Sequence, residues 1–282
     1  MKRNTFLHAT TLTVIVVIAL AACQARAATS LSNPMGMTVD ANGNLYVANL
    51  AQAPSTGSIL VYNPKYVQQT ARTITTGIDL PTGVAFDSQG NLYVANLGNS
   101  SITRYNGAGY MDASPITSNI DRPLGVAVDS LDDVWVNNAG NYLSVYSPFG
   151  SQIDTWTPGA RIDSIATQGE WFVVGKDTTW SQPPAGEFLT NKGTTGERQF
   201  PSHYEAVAAT FNSAGNYYMA QATGEVDIIN PATGSRIFLL MATYPPGGIA
   251  VDSKRGHLFL SNSIGNTIDV YTTKGVYLTT IH

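Results

Sequence analysis

Side-chain amides recur at one position of a repeated apolar segment in this chain. The position falls at Asn49, Asn96, Asn138, Gly175, Gln221 and Asn262. Five of these six residues carry an amide, and amides that converge on one surface could bind sugars, peptides or anions through hydrogen bonds. The simpler alternative is that each Asn hydrogen-bonds the backbone of its own turn.

A second group of polar residues lies where the repeated pattern is least regular. It consists of Arg161, Asp163, His203, Tyr204 and Glu205. These residues precede two consecutive repeats, so we expect them at the same end of neighbouring structural units, where they could form a binding site. The alternative is a solvated loop with an incidental ion pair.

Histidine and nucleophile chemistry is poorly supported by the sequence. His8 lies in the apolar N-terminal segment, His257 in a turn, and His282 at the end of the chain. Only His203 remains, and the sequence has no His-x-His or Glu-x-x-His pair for a zinc site, which needs three or four converging ligands. No Ser or Cys with a matched base is visible either.

The segment Leu80–Tyr105, LPTGVAFDSQGNLYVANLGNSSITRY, shows the repeated unit in full. It predicts two apolar strands, GVAF and NLYVAN, then a third, SITRY. Between the first two strands, Asp87-Ser88-Gln89-Gly90 suits a type I turn with Gly in the left-handed position. Both faces of the second strand are apolar, which predicts a sheet covered on both sides. The equivalent aspartates, interpreted as turn formers and not as catalytic groups, are Asp40, Asp87, Asp129 and Asp252.

The unit repeats six times at regular intervals. The second residue of the V-D-x-x-G-N pattern falls at Asp40, Asp87, Asp129, Thr167, Asn212 and Asp252, with spacings of 47, 42, 38, 45 and 40 residues. Each interval has room for about four short strands. The fourth repeat is degenerate, and only Glu187–Thr190 is a plausible strand after its second one.

The pattern P-x-G-[IV]-A-[VF]-D-x-x-G-N-[LV]-[YW]-V-x-N resembles the NHL repeat, and is similar to repeats of gluconolactonase and senescence-marker propellers. The resemblance covers residues 33–282 and is strongest in repeats one, two, three and six. It implies an all-β fold, a six-bladed β-propeller of four-stranded antiparallel blades around a channel. The last repeat ends with its own fourth strand, so we expect the ring to close by packing between the first and last blades.

The gluconolactonase resemblance also implies where a metal would bind. Those relatives carry metal ligands largely at the residue before the glycine that begins each blade. In register, this chain has Met35, Thr82, Leu124, Ile162, Val207 and Gly247 there. A hard cation needs several oxygen ligands, so we predict no metal, no cofactor and no metal-dependent lactonase mechanism.

The N-terminus predicts export. Lys2 and Arg3 precede the apolar run Leu12–Leu20, and Leu20-Ala21-Ala22-Cys23 resembles a bacterial lipobox. This divides the chain into a signal peptide (1–22), a short lipid-anchored linker (23–32) and the propeller (33–282). The resemblance implies acylation of Cys23 and a location at the bacterial outer membrane or in the periplasm. The alternative is a secreted protein cut after Ala25-Arg26-Ala27.

Composition narrows the class of partner. Charged residues make up 12% of the chain, and removal of residues 1–22 moves the formal net charge from −4 to −6 because Lys2 and Arg3 are lost. An acidic protein is a poor nucleic-acid ligand. The sequence therefore favours a non-enzymatic binding scaffold at the cell envelope, with an unknown protein, peptide or glycan as partner and a membrane contact through the lipid anchor only. The alternative is a hydrolase or lyase of the same superfamily with a rearranged site.

Overall fold

The computed structural model describes residues 30–51, 56–157, 161–168, 171–177, 185–190, 198–201, 206–230, 233 and 235–282; for residues 161, 168, 171–177, 185–190 and 198–201 it describes the backbone alone. Within these ranges the chain forms 22 strands in six antiparallel sheets, with one 3-10 turn at Thr70–Arg72. No helix among the described residues has the length and apolar character needed to cross a membrane. The predicted signal peptide and Cys23 lie outside the described residues.

The strands follow one another along the chain within each sheet. Sheets one and two contain β1 (Pro34–Val39), β2 (Leu45–Asn49) and β3 (Ser58–Tyr62), then β4 (Pro81–Phe86), β5 (Leu92–Asn96) and β6 (Ser101–Tyr105). Sheets three and four contain β7 (Pro123–Val128), β8 (Val134–Asn138), β9 (Tyr142–Tyr146) and β10 (Gln152–Trp156), then β11 (Arg161–Gln168), β12 (Trp171–Asp177), β13 (Ala185–Thr190) and β14 (Arg198–Pro201). Sheets five and six contain β15 (Ala206–Phe211), β16 (Tyr217–Gln221), β17 (Glu225–Ile229) and β18 (Arg236–Met241), then β19 (Gly248–Asp252), β20 (His257–Asn262), β21 (Thr267–Thr272) and β22 (Tyr277–Ile281).

The prediction of four strands in every sheet was wrong for sheets one and two. Their outer segments make only isolated bridges, two in each sheet: Ile59 with Ile74 and Tyr62 with Gln68 in sheet one, and Ile102 with Ile116 and Tyr105 with Met111 in sheet two. In sheet one the 3-10 turn takes residues out of the ladder. In sheet two Pro115 lies within the segment and has no N–H to donate. Sheet four has the fourth strand, β14, that its degenerate sequence did not predict.

The first strands of the sheets form the inner ring. β1 packs against β4, β4 against β7, β7 against β11, β11 against β15, β15 against β19, and β19 against β1. This closed arrangement confirms the all-β propeller fold. The recurring glycine of the first strand is needed because neighbouring inner strands meet at backbone contact. A Cβ on Gly36 would lie 2.7 Å from the Thr82 carbonyl oxygen, and one on Gly83 2.9 Å from the Gly125 Cα.

Apolar residues fill the spaces between neighbouring sheets. Tyr46, Val47 and their equivalents point alternately to the two sides of their sheet, and all five residues of β2 are buried. One cluster joins sheets one and six, where Val47, Leu60 and Tyr62 pack with Phe259 and Val270. The first and last sheets therefore share one core, as expected for a ring that closes by packing.

Polar contacts also cross the junction of sheets six and one. Arg255 Nε lies 2.6 Å from Asp252 Oδ2, and Arg255 Nη2 donates to the Gly43 carbonyl at 2.9 Å. The Tyr66 hydroxyl and His257 Nδ1 are 2.7 Å apart. Burial lowers the pKa of His257, and the charge of Arg255 lowers it further. The imidazole is thereby kept neutral at the junction.

The turn between β4 and β5 forms as predicted. Asp87 Oδ1 accepts hydrogen bonds from the Gln89 and Asn91 amides at 3.0 and 2.8 Å, and Gly90 has φ +82°. The turns between first and second strands define one end of the ring, the turn face. The opposite end, the loop face, carries the segments that lead into the first strands and the loops that follow the second strands.

Candidate functional site

A small cavity lies on the axis of the ring, between the inner strands. Its volume is about 90 Å³, and its lining is largely backbone and apolar side chain. The lining includes Thr82, Leu124, Asp163, Val207 and Gly247. Four of them, Thr82, Leu124, Val207 and Gly247, are the residues that the sequence alignment placed where gluconolactonase-type propellers carry metal ligands.

The register of sheet four differs from the sequence-based expectation. In sheets two, three and five one residue bulges from the inner strand, and these residues are Thr82, Leu124 and Val207. In sheet four Ile162 pairs with Lys176 and Ser164 with Gly175, so the bulged residue is Asp163. The assignment of Ile162 to this position was therefore wrong. Ile162 is buried in the core, and a carboxylate takes the place at the cavity.

The same shift of one residue affects the predicted ring of amides. Asn96 pairs with Pro81, immediately before the bulge of sheet two. The equivalent position in sheet four is Lys176 and not Gly175, since Lys176 pairs with Ile162. Sheet four, like sheet five, lacks the glycine that marks the register in the other four sheets, and its sequence is also the most degenerate, so the alignment there had no fixed point.

Asp163 is the one charged side chain among the described residues that line the cavity. The nearby hydroxyls are already used within the fold. Thr82 Oγ1 donates to the Pro123 carbonyl at 2.8 Å, and Ser164 Oγ donates to the Ala206 carbonyl at 3.2 Å. The cavity therefore contains one half-buried carboxylate, that of Asp163, beside backbone groups, two hydroxyls and apolar side chains.

The predicted cluster around Asp163 is described only in part. His203, Tyr204 and Glu205 lie outside the described residues, and Arg161 is described by its backbone at the start of β11. Among the residues that the structure does describe, no group of three His, Cys, Asp or Glu side chains could hold a metal ion.

Three of the predicted amides hold the segments that lead into their own sheets. Asn49, Asn96 and Asn138 are fully buried. Their Oδ1 atoms accept hydrogen bonds from the amides of residues 32, 79 and 121, at 2.7, 3.0 and 2.8 Å, each 17 residues upstream. Their Nδ2 atoms point back into the same sheet, where Asn96 donates to Thr103 Oγ1 at 3.0 Å and Asn138 donates to Ser144 Oγ at 3.1 Å and to the Tyr142 carbonyl at 3.4 Å. The three asparagines position the loop face from beneath.

The other two amides behave differently. Gln221 is fully buried, and its Nε2 donates to Asp227 Oδ2 at 2.5 Å. Burial raises the pKa of Asp227, against the opposing effect of Arg236, whose Nε lies 2.9 Å from the carboxylate. Asn262 Oδ1 accepts from an amide of its own turn, that of Gly265, at 2.7 Å, as the simpler alternative proposed.

The loop face has a feature that the sequence did not predict. Asn33, Leu80 and Arg122, each followed by proline, have φ of +55°, +50° and +44°. A residue before proline normally prefers extended backbone, so the sequence carries no signal for this conformation. The backbone N–H of each residue donates a hydrogen bond to the preceding sheet. Asn33 donates to Asn266 Oδ1 at 2.6 Å, Leu80 to the Thr56 carbonyl at 2.6 Å, and Arg122 to Ser100 Oγ at 3.1 Å.

The segment from β4 to β6 matches a known repeat family. A sequence model of the NHL repeat matches residues 79–105, which span β4 to β6. The chain contains an NHL repeat in a β-propeller. No curated protein matches the chain.

Solved structures of the same fold include both binding proteins and enzymes. A chain of the nidogen/laminin complex is 18% identical, with a TM-score of 0.70 over 85% of this chain and 92% of that chain. Virginiamycin B lyase from Staphylococcus aureus is 15% identical, with a TM-score of 0.63 over 88% and 83% of the two chains. A streptogramin B lyase is 15% identical, with a TM-score of 0.64 over 89% and 83%. At these identities the likeness shows the fold alone.

Proposed function

We propose that this NHL-repeat propeller is an exported, lipid-anchored binding scaffold, whose loop face docks a protein, peptide or glycan at the bacterial cell envelope. The observation that carries the proposal is the fixed loop face. Asn33, Leu80 and Arg122 have left-handed backbone, which is strained for residues with side chains. Hydrogen bonds from two directions, the buried amides and the preceding sheet, hold this backbone in place.

A surface fixed in this way favours binding because little conformational entropy is lost when a partner docks. The lining of the axial cavity also supports a scaffold more than an enzyme. Its bulged positions include Thr82, Leu124 and Val207, and the Thr82 hydroxyl already donates to a carbonyl. The chain of the nidogen/laminin complex shows that a propeller of this shape occurs in a protein complex.

Site-specific crosslinking tests the scaffold proposal. A photoreactive amino acid at Arg122, which is exposed on the loop face, should form adducts in intact cells. The same group at Gln89, which is exposed on the turn face, serves as the matched control. Adducts that form from position 122 and not from position 89 support the proposal. It would be contradicted if both positions gave equal adducts, or if position 122 gave none.

The anchor proposal rests on the lipobox-like sequence before Cys23. Replacement Cys23→Ser should release the protein from membranes into the soluble fraction. Intact mass should show a diacylglyceryl-modified N-terminal cysteine in the wild type. A soluble wild-type product that begins at Ala28 would instead support the secreted alternative.

A hydrolase or lyase with a rearranged site is the second candidate, and Asp163 is the observation that favours it. A half-buried carboxylate at an axial cavity could act as a general base. Two of the solved structures with this fold are lyases, of virginiamycin B and of streptogramin B type. If the chain is a related lyase, virginiamycin B should be consumed by the wild type and not by Asp163→Asn.

Metal addition separates the two candidates further. Saturation of a native-state site at a hundred times its dissociation constant adds about 2.7 kcal/mol of stability. We expect no rise in melting temperature with Ca²⁺ or Zn²⁺ and no fall with a chelator. A zinc-dependent rise that is lost in the His203→Ala, Glu205→Ala double variant would favour the enzyme.

A further inference from the structure

A cleft opens between sheets two and three on the turn face, away from the proposed docking surface. Its volume is about 200 Å³, and its walls include Tyr93, Ile102, Ile116 and Phe149, with Arg104 at one side. A dry cavity of roughly 150 Å³ is enough to bind benzene. The cleft therefore has room for one aromatic ring or one branched aliphatic group.

Phe149 lies at the mouth of this cleft on a fixed turn. The turn is closed by hydrogen bonds from the Gly150 amide to the Ser147 carbonyl at 2.9 Å, and from the Ser147 amide to the Ser151 carbonyl at 2.8 Å. Gly150 has φ +82°, which completes the tight turn. The Phe149 side chain is 94% exposed. Exposed aromatic residues of this kind are enriched at binding surfaces.

Arg104 supplies directed hydrogen-bond donors beside the apolar walls. Its Nε donates to Asp112 Oδ1 at 2.9 Å, and its Nη1 donates to the Pro148 carbonyl at 3.4 Å. A guanidinium has five N–H donors, and these two bonds leave others for a ligand. Because Asp112 balances the charge of Arg104, these donors suit a neutral carbonyl oxygen more than a free anion.

The equivalent cleft between sheets one and two is almost filled, at about 20 Å³. There Phe86 packs edge-on against Tyr46, with ring centroids 4.9 Å apart. In sheet three Val128 occupies the position of the repeat that Phe86 occupies in sheet two, but its side chain is much smaller. The turn of the filled cleft carries Ala108 where the open cleft carries Phe149. The open cleft thus depends on particular side chains and is not a general consequence of the fold.

We propose that the cleft between sheets two and three binds an extended peptide segment. An aromatic or branched aliphatic side chain of the peptide inserts between Ile102, Ile116 and Phe149, and an adjoining backbone carbonyl accepts a hydrogen bond from Arg104. The apolar walls favour such a side chain over a sugar ring. This site lies on the opposite face from the proposed scaffold surface and is independent of it.

Titration with small amide probes tests the proposal directly. N-acetyl-phenylalanine amide, added to the ¹⁵N-labelled protein, should give saturable shifts at the amides of Ala113, Ser114 and Gly150, whereas N-acetyl-alanine amide should not. Phe149→Ala should weaken binding about tenfold, as expected for loss of an aromatic contact. Because Phe149 is exposed, this variant should fold normally.

Two further variants separate the open cleft from its filled counterpart. Val128→Phe, which copies the filled cleft, should weaken binding at least as much as Phe149→Ala. Ala108→Phe, the matched control in the other cleft, should leave binding unchanged. Shifts that do not saturate, that are equal for both probes, or that persist in Phe149→Ala would overturn the proposal.

Discussion

The inner ring is built in two ways on its two sides. From sheet six through sheet three, glycines lie at backbone contact: a Cβ on Gly248 would meet the Met35 carbonyl oxygen at 2.3 Å, and one on Gly83 the Gly125 Cα at 2.9 Å. From sheet three to sheet four the contact relaxes, since a Cβ on Gly125 would meet only the Ile165 Cγ2 at 3.4 Å. Sheets four and five carry Ser164 and Ala208 on their inner strands, where the other sheets carry glycine.

This difference explains why the sequence repeat is sharp on one side and weak on the other. Where backbones touch, only glycine fits, and the recurring pattern marks that constraint. At the junction of sheets three and four the nearest atom to a Cβ on Gly125 is a side-chain carbon at 3.4 Å, so a side chain is allowed there. The one carboxylate at the described cavity lining, Asp163, lies on that relaxed side. Any chemistry in this cavity is therefore expected where the repeat is least regular.

The part of the inner ring from sheet six through sheet three, where backbones touch, is called the tight side, and the part formed by sheets four and five the relaxed side. The largest expected effect comes from adding a methyl group to the tight side. Gly248→Ala should lower the free energy of unfolding by about 3 kcal/mol or more, because the clash is with backbone atoms that have no rotamer to change. Gly125→Ala, the matched change at the relaxed junction, should cost less than about 1 kcal/mol. Denaturant unfolding of both variants measures the difference, and equal losses would show that the two sides are built alike.

The buried amides of the tight side come next. Asn96→Ala should cost about 2 kcal/mol, because it leaves the Asp79 amide without its partner and removes contacts to Thr103. Asn42→Ala, an exposed asparagine in a turn, is the control and should change little. If Asn96→Ala melts like the wild type, the amide does not hold the loop face and the scaffold proposal loses its support.

Much of the tight side could be predicted from sequence, and much of the relaxed side could not. The turn at Asp87 and the strands around it follow from local residues alone. The 17-residue reach of Asn96 could not be predicted, because it depends on where the chain returns after the preceding sheet. The position of Asp163 was missed by one residue, since a slip of one residue in a strand exchanges core and cavity positions.

The turns themselves should not distinguish the two sides. Gly90 in sheet two and Gly215 in sheet five have φ of +82° and +79°, and a Cβ on either would meet nothing within 4 Å. Gly90→Ala and Gly215→Ala should therefore each cost about 1 kcal/mol through backbone strain alone. Thermal melts that differ strongly between them would mean that the relaxed side is weak throughout, and not only at its inner strands.

The smallest effect is a difference in the sign of pH dependence between sheets five and six. Burial alone would raise the pKa of Asp252, but the hydrogen bonds and charge of Arg255 hold it below the usual value, whereas burial raises the pKa of Asp227 in sheet five. A lowered pKa in the folded state means that stability is lost as pH falls from the unfolded value through the folded one. A raised pKa means the reverse, since the folded state then takes up the proton more readily and stability is lost as pH rises through that raised value. Below the unfolded value of about 3.9, Asp252→Asn should therefore flatten the loss of stability on acidification, and between that value and the raised folded one, Asp227→Asn should steepen it. Unfolding free energies of both variants measured between pH 3 and pH 7 check the signs, and slopes that change in the same direction would show that the two carboxylates share one environment.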